Sequence, residues 1–443
     1  MTCSPLVEEN SEIVCAAMKT GRKHRWLAWI GVGLLLPASG CHRYLVQTPN
    51  LLQNQDPLQV YAACPESSRT AGAAVLYATD RAIVEHSKIY PTYGHGRANS
   101  LAFGVADVNL NPHPSWKELI QESTQAKRGR EFELKLAGVR EDGRIQASIE
   151  QIVETGPGQA IVQARAQLDR SEIKAFHELL RGQLADATHK DVYVFVHGFN
   201  NTFDDAVFRA AEVWHFMGRV GVPIAYTWPA GLGGIRGYAY DRESGEFTVG
   251  HLREFIRSVA TCPGVERVHL IAHSLGVHVT ISALRELNLI YTAQGKSTQR
   301  ELMLENLVLA APDVDEELFM QRFVGENLLK AAHRTTIYAS QYDKAIELTD
   351  IIFASRRRLG TLAVKDFSPK MKQGLAKLPN VQFIECKVSG WLLSHSYVFT
   401  HPAALSDLIL VLRDRRDPGA ANGRPLRQRA EGIWELTDDY LAR

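Results

Sequence analysis

The chain has 443 residues, enough for one large α/β domain with a smaller attached part. Its 50 Lys and Arg nearly cancel its 49 Asp and Glu, and no basic stripe marks the folded region, so no nucleic-acid partner is expected. Outside the amino-terminal segment only Cys64, Cys262 and Cys386 remain. An odd number gives no disulfide framework, and the spacings suit no metal. Buried or idle thiols are expected, with a Cys262 to Cys386 pair as the alternative.

In chain order, Lys19, Arg22, Lys23 and Arg25 precede an apolar run from Trp26 to Leu36, followed by small residues and Cys41. That is the layout of a signal peptide over residues 1–40, with an apolar core too short to span a bilayer comfortably. Met18 is an alternative start. The run Ala38-Ser39-Gly40-Cys41 resembles the lipobox of bacterial lipoproteins, which implies an acylated Cys41 as the mature amino terminus. His42 stands after the cysteine where an inner-membrane signal would have aspartate, so the resemblance implies lipid anchoring to the outer membrane of the cell envelope. Simple signal cleavage or an uncleaved anchor is the other reading.

Residues 41–70 are polar and carry Pro49, Pro57 and Pro65, which reads as a tether. Residues 71–166 read as mostly β, with strands expected at Ala73 to Thr79, Leu101 to Val108 and Phe132 to Val139, extending or covering a main sheet. Thr79-Asp80-Arg81 reads as a turn with a local ion pair, with a binding element as the alternative. From 167 to 413 helices and strands alternate. Ile173, Phe176, Leu179, Leu180 and Leu184 share a helix face, with Ser171 placed as a cap. Strands are expected at Val192 to Val196, Ile224 to Thr227, Val268 to Ala272, Leu307 to Ala310, Thr335 to Ala339 and Val381 to Cys386. Their Val, Ile and Leu content fits a parallel sheet covered on both faces. The segment from Gly231 through Tyr238, Tyr240, Asp241 and Phe247 reads as a flap or a surface loop. Residues 414–443 read as a polar tail in which Ile433, Trp434 and Leu436 could dock back.

The chemistry centres on Val268 to Gly276, where a buried strand turns at Ser274 into a helix carrying Val277, Ile281 and Leu284. Strand, sharp turn and helix are the setting of a nucleophile elbow of the Gly-x-Ser-x-Gly type, with Ala272 in place of the first glycine. A serine hydroxyl needs an adjacent base oriented by a carboxylate. The base is expected late in the chain: His395 rather than His401, which reads as the start of the last helix. His273 and His278 flank the serine and read as packing or polar-contact residues. Asp343, Asp313 and Asp315 are candidates for the acid, in that order. Backbone N–H groups of Phe199 or Asn200, after Val192 to Val196 and His197-Gly198, together with that of Leu275, would hold an oxyanion. Gly231, Gly233 and Gly234 lack the lysine of a phosphate loop, so no cofactor is expected.

Together His197-Gly198-Phe199-Asn200, Tyr240-Asp241-Arg242-Glu243-Ser244, Ala272-His273-Ser274-Leu275-Gly276, Ala311-Pro312-Asp313-Val314-Asp315, Tyr338-Ala339-Ser340 with Asp343, and His395-Ser396-Tyr397 resemble the α/β-hydrolase superfamily, and within it the bacterial esterase/lipase-like proteins grouped as DUF900. The resemblance spans roughly Ala73 to Leu410. It implies a mainly parallel sheet with helices on both faces, an N-terminal β-rich extension, and a serine hydrolase acting on a small-molecule or lipid ester. It also favours Asp343 as the acid. An amidase, peptidase or acyltransferase would use the same triad, and a catalytically silent envelope binding protein is the rival of another class.

Overall fold

In the computed structural model the described residues are 43–86, 90–146, 151–156, 159–163, 170–346, 357–389 and 395–442. The expected signal peptide and Cys41 lie outside them. Among the described residues no helix is long and apolar enough to cross a membrane.

Strands β1 (Arg43–Tyr44), β2 (Ala73–His86), β3 (Pro91–Asn111) and β4 (Glu133–Gln146) come first, then the separate hairpin β5 (Gln151–Gly156) and β6 (Gln159–Gln163). They are followed by β7 (Asp191–Val196), β8 (Val222–Thr227), β9 (Arg267–His273), β10 (Leu304–Ala310), β11 (Arg334–Ala339), β12 (Val381–Lys387), β13 (Arg427–Ala430) and β14 (Ile433–Thr437). The main sheet has twelve strands in the order β1-β4-β3-β2-β8-β7-β9-β10-β11-β12-β14-β13. From β2 through β14 all neighbours are parallel, and the flanking pairs on both sides are antiparallel. This is the α/β-hydrolase architecture with an N-terminal β wing.

Alternation of side chains along the buried strands explains the two covered faces. Val192, Val194 and Val196 face the helices Arg170–Asp186, Gly234–Ala260 and Leu275–Ala293, represented by Phe176, Phe255 and Leu284. Tyr193 and Phe195 face Phe203–Phe216 and Pro402–Leu412, represented by Trp214 and Leu408. The first of these second-face helices starts on a reciprocal cap between Thr202 and Asp205. The last starts on His401 with Pro402 as its first residue.

The strand order reverses between β7 and β9: from β7 the chain crosses to β8 on one side and to β9 on the other. A parallel sheet opens a crevice at the carboxyl ends of its strands at such a switch point. Val196 lies level with Ala272, His273 with Ala310, and Ala310 with Tyr338. The loops after these strands therefore emerge at one edge, and they carry His197, Ser274, Asp313 and Asp343.

Several expectations need correction. Residues 43–70 are packed onto the body and do not form a free tether. Leu45, Leu52, Tyr61 and Cys64 are buried, and the buried guanidinium of Arg219 donates to the carbonyls of Ser68, Thr70 and Gly72. Their polar composition reflects backbone groups caught by side chains remote in sequence. Thr79-Asp80-Arg81 lies inside β2, where it pairs with β3, so the strand runs through the expected turn. The expected flap is a 27-residue helix, Gly234–Ala260, whose Gly234, Gly237, Gly245 and Gly250 hid its period. In the tail, β14 pairs with β12 through Ile433 and Trp434, extending the sheet. Cys64, Cys262 and Cys386 are buried free thiols, and Cys262 and Cys386 sit in cores on opposite faces of the sheet, which rules out their pairing.

Candidate active site

Ser274 joins β9 to the helix Leu275–Ala293 with φ 55° and ψ −124°. A side chain is strained there, and such strain persists only where the surroundings over-determine it. Two glycines show how. A Cβ on Gly276 would lie 2.2 Å from the His197 carbonyl oxygen, and one on Gly198 would lie 2.6 Å from the Ser274 Cβ. The helix start and the loop after β7 thus close on the serine at a distance that only glycine permits. Ala272 is fully buried within β9 and its one methyl is accommodated. As the first residue of its helix, Leu275 has an N–H with no intrahelical acceptor.

His395 Nδ1 lies 2.7 Å from Asp343 Oδ2. The other oxygen of Asp343 accepts the N–H groups of Ala345 and Ile346, each at 3.2 Å, which locks the carboxylate. With Nδ1–H committed to the carboxylate, Nε2 is left as the basic nitrogen. Burial alone would lower the His395 pKa, but the charges of Asp343 and Asp313 and the hydrogen bond to Asp343 outweigh it and raise the value above that of an ordinary histidine. His273, directly before the serine, donates from Nε2 to the His395 carbonyl at 3.1 Å, and the two rings lie 4.7 Å apart, tilted by 39°. Burial and the neighbouring His395 hold His273 well below the usual histidine range. It is a neutral spacer that ties the elbow to the histidine loop.

The other candidates part from these residues. Asp315 caps a short helix by accepting the Leu318 N–H at 3.0 Å. Asp313 is buried, accepts the Tyr238 hydroxyl at 2.5 Å and pairs with Arg358 at 3.5 Å. Its charge helps to raise the His395 pKa. His278 bonds Glu246 at 2.7 Å, and His401 caps the last helix and pairs with Asp438.

The loop after β7 is built from two peptide planes. His197 Nδ1–H donates to the Gly198 carbonyl at 2.9 Å, while its Nε2 accepts the Trp228 N–H and the Arg81 guanidinium. Burial first, then the charge of Arg81, keep this imidazole neutral. In a trans peptide C=O and N–H point opposite ways, so a Gly198 carbonyl held toward His197 turns the Phe199 N–H toward the opposite side. The next plane is held differently: the Asn200 N–H donates to Asp241 Oδ2 at 2.9 Å, with Asn200 at φ 56°. Asn200 is therefore corrected as an oxyanion donor, because its N–H is already spent. Phe199 and Leu275 keep theirs.

Arg81 is marked in the sequence only as part of a local turn or a binding element, not as a support of the loop after β7. Fully buried, it donates to the carbonyls of Gly94, Ala230 and Asn201, to Thr227 and to His197. No local motif announces a residue on β2 most of whose partners lie more than 100 positions away. Among the described residues no group of His, Cys, Asp and Glu is placed to hold a metal ion.

Residues 172–415 match the family described as "Alpha/beta hydrolase of unknown function (DUF900)", more than half of the chain. The chain belongs to this family. Strands β7 to β12 and every residue of the Ser274, His395 and Asp343 group fall within the matched span of this DUF900 protein, whereas β2 with Arg81 lies outside it. Among solved structures it is similar to a Pyrobaculum calidifontis esterase in a monoclinic form, at 10% identity and a TM-score of 0.26, covering 56% of this chain and 92% of that one. No curated protein sequence matches the chain.

Proposed function

We propose that this DUF900 protein is a serine hydrolase that cleaves carboxylic esters through an acyl-enzyme. The observation that carries the reading is the 2.7 Å bond between His395 and Asp343, at the same sheet edge as a serine in a strained elbow. Ser274 Oγ attacks the ester carbonyl carbon while His395 Nε2 takes its proton. The developing oxyanion is received by the N–H groups of Phe199 and Leu275. His395 then gives the proton to the departing alcohol oxygen, and the C–O bond breaks. Water, deprotonated by the same nitrogen, attacks the acyl carbon; the bond to Ser274 Oγ then breaks, Oγ takes back the proton from His395, and the acid is released. Throughout, Asp343 holds the imidazole in the tautomer that leaves Nε2 basic.

p-Nitrophenyl esters of graded chain length, run beside matching p-nitroanilides, test the reading. Turnover of esters well above that of anilides is expected. Anilide turnover matching ester turnover would make the protein an amidase, and inertness toward both would contradict hydrolysis.

Anchoring is proposed from the sequence alone. Cys41 carries the lipid that holds the enzyme to the envelope, since several acyl chains make anchoring stable where one does not. Cys41→Ala should release the protein from the membrane fraction or leave its precursor uncleaved, and unaltered processing with membrane retention would exclude lipidation.

A further inference from the structure

The Tyr240-Asp241-Arg242-Glu243-Ser244 run is not used by the chemistry above, yet it sits at the loop that would receive the oxyanion. It occupies the helix Gly234–Ala260, and its residues point two ways. Tyr240 and Ser244 face the β wing: the Tyr240 hydroxyl donates to the His95 carbonyl at 2.8 Å, and Arg97 of β3 donates to Ser244 Oγ at 2.9 Å. Arg97 also lies over the Tyr240 ring at 4.9 Å and pairs with Glu243 at 3.6 Å. Asp241 faces inward. It is fully buried, and one oxygen, Oδ2, accepts both the Asn200 N–H at 2.9 Å and the Gly231 N–H at 3.3 Å. Its other oxygen, Oδ1, is buried with no hydrogen-bond partner among the described residues.

We propose that Asp241 is the positioning residue of the oxyanion loop: its carboxylate pins the Phe199–Asn200 peptide plane, as His197 pins the Gly198–Phe199 plane, so that the Phe199 N–H stays aimed at the reacting carbonyl. The inference rests on the serine-hydrolase reading. Removing the carboxylate frees one of the two planes that define the direction of Phe199. It also leaves the Asn200 and Gly231 N–H groups without their acceptor.

The arrangement predicts a signature that a merely structural carboxylate lacks. Burial raises the Asp241 pKa to about 6 against the lowering effects of the Asn200 and Gly231 N–H groups, Arg81 and His95. The charged and titratable groups around it are Arg81 from β2 and His95 from β3, with Arg97 of β3 and Glu243 of its own helix paired nearby. Because both donors use Oδ2, the proton taken up near pH 6 goes to the unpartnered Oδ1. The acid loses its charge there, and the hold on both N–H groups weakens, since charge-assisted hydrogen bonds are about twice as strong as neutral ones.

The test is the pH profile of kcat/KM on a p-nitrophenyl ester, with fluorophosphonate labelling and a melting curve for each protein. In the wild type the acid limb should follow the single-proton line of His395 and then drop about 10-fold further through pH 6, the loss expected from the weakened bonds. Asp241→Asn, permanently neutral, should start about 10-fold lower in kcat at high pH with KM little changed, keep a single-proton limb, and merge with the wild type at about pH 5. Asp241→Ala should lose on the order of 100-fold in kcat, the scale of one missing oxyanion donor. The wild-type limb alone carries the test if a variant fails to fold. A wild-type limb with one proton throughout, or an Asp241→Asn profile superimposed on the wild type, overturns the role of Asp241. A wild type that neither labels nor turns over overturns the serine-hydrolase reading and this inference with it.

Discussion

The parallel core and the N-terminal β wing serve the site by different physics. In the core, position follows from the backbone: parallel strands in register deliver Ser274, the His197 loop and the Asp343 loop to one edge, and two glycines set the closest approach. In the wing, position follows from single buried side chains. Arg81 reaches from β2 into the loop after β7, and Arg97 reaches from β3 to the helix that carries Asp241. The comparison teaches that an α/β-hydrolase core can deliver its candidate residues to one edge by backbone register alone and still have the loop after β7 held by a side chain from a remote wing. A family match confined to residues 172–415 contains Ser274, Asp343 and His395 and omits Arg81, which holds the loop beside them.

The sharpest way to break this comparison is within the core. Asp343→Asn should cost ~10⁴-fold in turnover with Ser274 still in place, while Asp313→Asn should keep most activity and melt earlier, because it weakens a buried contact with Arg358 and Tyr238. The reverse pattern in the two variants would exchange their roles. Both substitutions should also move the acid limb to lower pH, since both carboxylates raise the His395 pKa. In the wild type activity climbs as pH rises through that raised value. The His395–Asp343 pair contributes to stability in the opposite sense: the contribution is full below the unfolded histidine pKa and is lost as pH rises through the folded one. Melting curves across that range read the second trend.

In the wing, Arg81→Met removes the guanidinium at similar length. Turnover should fall on the order of 10²-fold, as for a misdirected oxyanion donor. Stability should fall by about 2 kcal/mol or more because several buried carbonyls lose their donor. Turnover equal to the wild type in a folded Arg81→Met would detach the wing from catalysis. The smallest effect belongs to Asp315→Ala, which should cost about 1 kcal/mol as the loss of a helix cap and leave the pH profile unchanged. A kinetic defect there would reopen its candidacy as the acid.

The parts that could be read in the sequence are those whose cause is local. The strands Val192 to Val196 and Val268 to Ala272 carry dense apolar runs, interrupted only by His269, and they are found as β7 and β9 extended by a residue or two. The resemblance favours Asp343 over Asp313, and in space Asp343 is the carboxylate 2.7 Å from His395 Nδ1. The parts that could not be read depend on long-range partners. The polar stretch 43–70 looked like a tether because Arg219 lies about 150 residues further on. Arg81 looked like half of a local ion pair for the same reason. The helix holding Asp241 was hidden by four glycines, of which Gly250 has open space where a Cβ would stand. Asn200 could be excluded as a donor only once its bond to Asp241 was seen.

The central claim is that Ser274 is an activated nucleophile, and mass spectrometry after fluorophosphonate treatment tests it most directly. A single adduct on the peptide containing Ser274 is predicted, formed faster as pH rises through the His395 pKa and absent from folded Ser274→Ala. No adduct on the wild-type protein, or an adduct at another residue that persists in Ser274→Ala, would contradict it.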